Sequence, residues 1–189
     1  MSFSTIYFYL TEVILMKETK LYNMILPPFM LFLFVPFLWI VSFFGNFIID
    51  SIILLIISIF IYKKFTIQLY KKSIIPVFLL GFLSDFLGVL YLTLVSIQSD
   101  AEYYEGNDLG KQILSGIYLA TSHSCYDSIY GVLFIVSGIV LSSVFIFIFD
   151  YFVSFKNKGL SKKQKIIASL TMAIVTAPYT FLLPKEIFY

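Results

Sequence analysis

Asp50 and Asp85 are the residues in this sequence best placed to do chemistry. Each stands alone in a long apolar run, the first within Asn46-Phe-Ile-Ile-Asp50-Ser and the second within Gly81-Phe-Leu-Ser-Asp85-Phe-Leu-Gly88. A carboxyl group accepts hydrogen bonds, binds cations and carries protons, and its electrostatic interactions strengthen where water is scarce. Two such groups brought close would not both ionise; they would hold one proton between them. Acids inside a membrane mark ion or proton sites by default, and they also serve as hydrogen-bonding pegs between helices. The bland reading, an Asp accepting from Asn46, Ser84 or a threonine, stands beside the functional one.

The surroundings must tolerate the charge. A central aspartate costs about 2.5–3.5 kcal/mol on insertion. The twelve Ile, Leu and Phe residues from Phe47 to Ile61 return about 0.3–0.6 kcal/mol each, so the segment still inserts.

Composition sets the class. Of 189 residues, 60% are apolar and 13% charged, against about 25% charged in a soluble domain. Several nearly charge-free runs reach the ~20 residues that cross a ~30 Å hydrocarbon core. The expectation is an all-α, multi-pass protein of a bacterial cell membrane, a bundle of five transmembrane helices in contact with the lipid bilayer. The spans are placed at 24–44, 46–62, 74–97, 129–152 and 166–183. An N-terminal segment covers 1–23, with translation expected to begin at Met16, and an outer loop covers 98–128. Pro27 and Pro28 suit a first helical turn and Pro36 a kink. Gly45-Asn46 offers the turn between the first two spans. Ile113, Leu114 and Ile117 recur at helical spacing, so part of the outer loop is expected on the membrane surface.

All 13 basic residues are lysine. They flank the first span, join the second to the third and join the fourth to the fifth. The positive-inside rule then sets the N-terminus in the cytoplasm and the acidic loop and C-terminus outside. Orientation and anionic lipid account for these lysines without nucleic acid.

Lysines also measure depth. Asp50 is thirteen residues from Lys63 and Asp85 thirteen from Lys72, about 20 Å at the helical rise. The same count from Lys156 reaches Ser143, beside Ser142, and from Lys165 it reaches Pro178, within Thr176-Ala-Pro-Tyr-Thr180. Four spans thus place polar or helix-breaking residues at one level. The expected ion- or substrate-binding set is Asp50, Asp85, Asn46, Ser84, Ser142, Ser143, Thr176 and Thr180. Gly81, Gly88, Gly131 and Gly138 lie on the same faces and are expected to let helices pack closely. Pro178 has no N–H for the carbonyl of Ile174, which is expected to be free for a ligand. Asp150, close to Lys156, is expected at the interface, as are Trp39, Tyr62, Tyr91, Tyr103, Tyr104 and Tyr151.

Other chemistries find less support. His123, Cys125 and Asp127 alternate and could ligate together only if extended, so no metal is expected, and no cofactor motif appears. Lone Cys125 excludes an intrachain disulfide. Intramembrane aspartyl peptidases carry Gly-x-Gly-Asp, whereas this chain has Leu83-Ser84-Asp85. The Gly-Gly-aromatic-His motif of membrane processing peptidases is absent as well. No catalytic residue is assigned. Two classes remain: a proton- or cation-linked transporter or transporter subunit, and a non-catalytic membrane partner of the immunity, assembly or regulatory kind. Five spans without repeated halves favour a homo-oligomer or a complex with other membrane subunits.

Overall fold

Apolar character is nearly unbroken from Pro36 to Tyr62, and the chain coils through it as a single helix, α1 (Pro36–Tyr62). This corrects the expected break at Gly45-Asn46. In lipid every backbone N–H needs a partner, and continuing the helix supplies one where a turn would not. Residues 36–44 therefore belong to the same helix as 46–62; residues 24–35 of the expected first span lie outside what is described. The computed structural model describes residues 36–62, 67–99, 108–122 and 124–183. The expectations for Met16, Pro27, Pro28, Tyr103, Tyr104 and His123, and for the side chains of Trp39 and Tyr62, lie outside what is described.

The remaining helices are α2 (Ile67–Ser99), α3 (Leu109–Ser122), α4 (Ile129–Phe149) and α5 (Lys162–Val175). One π turn, Asp150–Ser154, prolongs α4, and short 3-10 turns cover Cys125–Asp127 and Tyr179–Leu182. Four stretches are long and apolar enough to cross a membrane: Ile40–Ile61, Ile67–Ile97, Ile129–Ser154 and Lys162–Leu182. On helix length and composition the chain is a polytopic membrane protein.

Around the bundle, α1 packs on α2, α2 on α4, α4 on α5, and α5 back on α1, which closes a ring of four spans. The shorter α3 packs outside the ring against α4 and α2. Its Ile117 is buried in the core while Ile113 is exposed, so the helix is held by protein along one side. Only 22% of the α1 span is buried, against 33–39% for the other three, which makes α1 the least buried of the four described spans.

Helix ends and prolines follow local chemistry. Ser128 caps α4 by accepting from Tyr130 N, and Ser161 and Gln164 form a reciprocal capping box at the start of α5. Pro76 lies inside α2 and cannot bond to the carbonyl of Lys72. Lys158 Nζ donates to that oxygen at 2.7 Å, tying the 155–161 turn to α2.

The core is two apolar clusters stacked along the ring. Leu54, Ile74, Val77, Ile146, Phe155 and Met172 belong to the one near the lysine loops. Val89, Leu92, Ile117, Phe134, Ile139 and Phe181 belong to the other, at the far end. Between the two lie Gly81 to Gly88 on α2, Ser142 on α4 and Thr176 after α5.

Close helix approach is made at glycines. A Cβ on Gly131 would lie 2.9 Å from both Gly116 O and Cys125 O, and one on Gly138 would meet the Leu92 side chain at 2.6 Å. At Gly88 it would run into Ser142 Oγ and approach Gly138 O at 3.1 Å. Gly45 has nothing within 4 Å. Gly131→Ala is therefore expected to lower stability by about 1–3 kcal/mol, because the obstructing atoms are backbone. Gly45→Ala is expected to be neutral or slightly stabilising. Thermal unfolding in detergent of the two variants side by side checks the difference.

Candidate functional site

The polar level between the two clusters is built from α1 and α2 first. Asn46 and Asp50, one helical turn apart on α1, face Gly81 and Asp85, one turn apart on α2. Asn46 Nδ2 donates to Asp85 Oδ2 at 3.1 Å. Asp50 is 4% exposed, and its Oδ2 would lie 3.5 Å from a Cβ at Gly81. Gly81 thus leaves room in which the Asp50 carboxyl rests on α2. Both residues line one cavity. Asp85 Oδ1 is buried with no hydrogen-bond partner among the described residues.

Beside these groups lies a cavity of about 460 Å³ between α1, α2 and the stretch that follows α5. Asn46, Asp50, Asp85, Thr176, Pro178 and Thr180 line it, with Phe82, Phe86 and Val89 supplying an apolar wall. Of the eight residues expected to bind, five meet here.

The other three are elsewhere. Ser84 is fully buried but donates to Leu80 O at 2.7 Å, in its own helix, and not to either aspartate. Ser143 donates to Ile139 O at 2.9 Å. Ser142 is buried against Gly88, and its Oγ has no partner among the described residues. Thr176 lines the cavity, but its hydroxyl donates to Met172 O at 2.9 Å.

Two further expectations need correction. The carbonyl of Ile174 is not free: Tyr179 OH donates to it at 2.6 Å. Pro178 does remove the N–H, but the next side chain folds back to replace it. Tyr91 does not anchor at an interface. Its hydroxyl is paired with Ser137 Oγ at 3.2 Å, between α2 and α4. Tyr151 does stand near the lysine loops, with Lys165 Nζ 4.1 Å from its ring centroid.

Asp150 is the largest departure. It is 1% exposed, while Lys156 is exposed. Among the described residues, acids inside the apolar spans therefore stand on α1, α2 and the π turn. The sequence signal was present: Asp150 is flanked by Phe145 to Phe149 and by Tyr151, Phe152 and Val153, with no polar neighbour. Sequence distance to Lys156 reports depth and not the face of the helix on which a residue lies.

Cys125 is buried in the 3-10 turn, and Asp127 accepts from Ser124 N at 3.2 Å as part of a capping box. Residues 125–127 are coiled, so the extended arrangement needed to align alternate ligands is not adopted. Among the described residues no three His, Cys, Asp or Glu side chains gather as metal ligands.

The chain matches no family model, none of the curated proteins and no solved structure.

The Asn46–Asp85 bond crosses between helices, so its strength is measurable as a coupling. A double-mutant cycle of Asn46→Ala and Asp85→Ala is expected to return about 0.5–2 kcal/mol of favourable coupling. Tyr179→Phe, read by the same unfolding assay, is expected to cost about 0.5–1.5 kcal/mol by leaving Ile174 O unpaired.

Proposed function

We propose that this chain is a small membrane transport protein, or a subunit of one, that binds a proton or small cation at Asp85 and Asp50. The observation that carries the reading is the cavity that Asp50 and Asp85 both line, with one buried oxygen of Asp85 left without a partner among the described residues. A peg that only joins helices has no use for an unfilled space of this size beside it. Asn46 holds Asp85 in place through one oxygen, and the other has no partner among the described residues. Asp50 adds a second acid nearby, which favours uptake of positive charge. Thr176 and Thr180 complete the rim.

The lysine loops orient the site. With the 63–72 and 156–165 loops in the cytoplasm, the cavity belongs to the outer half of the bundle. The sparsely buried α1 suits assembly with a second copy or with other membrane subunits.

One observation favours a second reading. The Asn46–Asp85 bond is what a structural peg between two helices would make, and a non-catalytic membrane partner needs nothing more. The two readings separate on substitution. If the acids are pegs, Asp85→Asn is nearly silent and bulky residues at Gly81 or Gly88 do the damage.

The test is flux in proteoliposomes carrying an internal pH- or sodium-sensitive dye, driven by an imposed membrane potential. Wild type is expected to exceed protein-free vesicles, and Asp85→Asn to lose at least about tenfold of that excess while keeping its helical circular dichroism. Equal flux from wild type and the Asp50→Asn/Asp85→Asn double variant would end the transport reading.

A further inference from the structure

The cavity between α1, α2 and the stretch after α5 is far larger than a bare ion needs. Its volume of about 460 Å³ falls within the ~300–1,000 Å³ of sites that enclose small organic molecules. A metal ion with a few waters, each taking about 30 Å³ of liquid volume, would leave most of that space unfilled. Two of the lining residues, Asp50 and Asp85, are acids, and none is a base. Four are aromatic: Phe82, Phe86, Tyr179 and Phe181. Hydrogen-bond donors are scarce. The hydroxyls of Thr176 and Tyr179 are spent on the carbonyls of Met172 and Ile174, and Asn46 Nδ2 is engaged by Asp85. An anion would find two acids here and few donors.

We propose, resting on the transport reading of the same cavity, that its substrate is an amphiphilic organic cation: an amine or quaternary ammonium joined to an apolar body, and not a bare metal ion. Each part of such a molecule has a counterpart in the lining. The two acids answer its charge, and no lysine lines the cavity to compete for them. The aromatic side chains cover its apolar body. Aromatic faces also attract a cation, which is how aromatic sites recognise quaternary ammonium groups. A hard metal ion stripped of water needs oxygens on every side. An alkylammonium carries its charge at one end and apolar surface elsewhere, which suits a lining divided between acids and rings.

The rim of the cavity fits the same class. Val41 and Ile49 on α1 and Val175 at the end of α5 line it, and all three stand among the exposed apolar side chains of the bundle. Gly45, on the same stretch of α1, lines the cavity too and has nothing within 4 Å of where a side chain would begin. The rim thus includes part of the bundle's apolar outer surface. A metal ion does not approach from acyl chains, because losing its water costs several kcal/mol or more. An amphiphilic cation concentrates at the bilayer, with its apolar part among the chains and its charge at the interface.

Full-length protein in detergent is tested by equilibrium dialysis against radiolabelled tetraphenylphosphonium in excess sodium chloride, with protein-free micelles subtracted. Tetraphenylborate, of the same shape and opposite charge, is the control. Wild type is expected to bind about one phosphonium per chain, saturably, and to take up no borate beyond the micelles. Asp85→Asn is expected to weaken phosphonium binding about tenfold or more. Phe86→Ala, which truncates a partly exposed ring and leaves the helices in place, is expected to weaken it about threefold or more. Asp108→Asn, at an exposed acid outside the cavity, is expected to change nothing. Equal uptake of phosphonium and borate, or uptake indifferent to both cavity variants, would overturn the proposal. So would the absence of saturable phosphonium binding by wild type, whether or not proton or sodium flux survives to uphold the transport reading; the space would then belong to a second copy or to another segment of the chain. Asp85-dependent binding without flux in proteoliposomes would support the ligand class and end only the transport reading.

Discussion

An acid inside a bilayer has to be screened from acyl chains, and every other feature of this bundle can be traced to that constraint. The screening surface is made of absent side chains. Gly81 gives the Asp50 carboxyl a place on α2, and Gly88 gives Ser142 one on the same helix. These positions let four helices close a ring tightly enough that Asp50, Asp150 and the serines between them are removed from lipid. Apolar clusters then seal the polar level from both ends. Without hydrophobic attraction between spans, such close approach is the main source of helix association.

The same rule governs the backbone. Two prolines leave carbonyls without their helical donors, and a polar side chain reaches each one: Lys158 for Lys72 and Tyr179 for Ile174. Oxygens the protein can satisfy, it satisfies locally, as Ser84, Ser143 and Thr176 also do within their own helices. Against that background the oxygens left over stand out. Asp85 Oδ1, in a residue that lines the cavity, and Asp150 Oδ2 are both buried without a partner among the described residues.

How much of this is legible in the sequence follows from what each signal measures. A lone Asp in an apolar run reports that something must shield it, and the i,i+4 spacing of Asn46 and Asp50 puts both on one face. Helical character and the number of long apolar stretches beyond residue 45 follow from hydropathy. The break at Gly45-Asn46 is misread because turn signals learned from water-soluble chains weaken in lipid, where an unpaired backbone costs more than a glycine in a helix. Asp150 is misread because it is buried while its lysine neighbour in sequence is exposed, and a π turn leaves no pattern in hydropathy. The hydroxyls of Ser84 and Ser143 are misread because residue type shows capacity for a bond but not whether the nearest carbonyl takes it first.

The central claim is that Asp50 points into the bundle and rests on α2 at Gly81. Disulfide cross-linking in native membranes tests it most directly, in a chain whose own cysteine is removed as Cys125→Ser. Paired cysteines at Asp50→Cys and Gly81→Cys are expected to oxidise readily, because the carboxyl of Asp50 lies 3.5 Å from where the new Cβ would stand. Cysteines at Ile52→Cys and Gly81→Cys, with Ile52 on the exposed side of α1, are expected not to. Cross-linking from position 52 in place of position 50 would put the aspartate in the lipid and contradict the account.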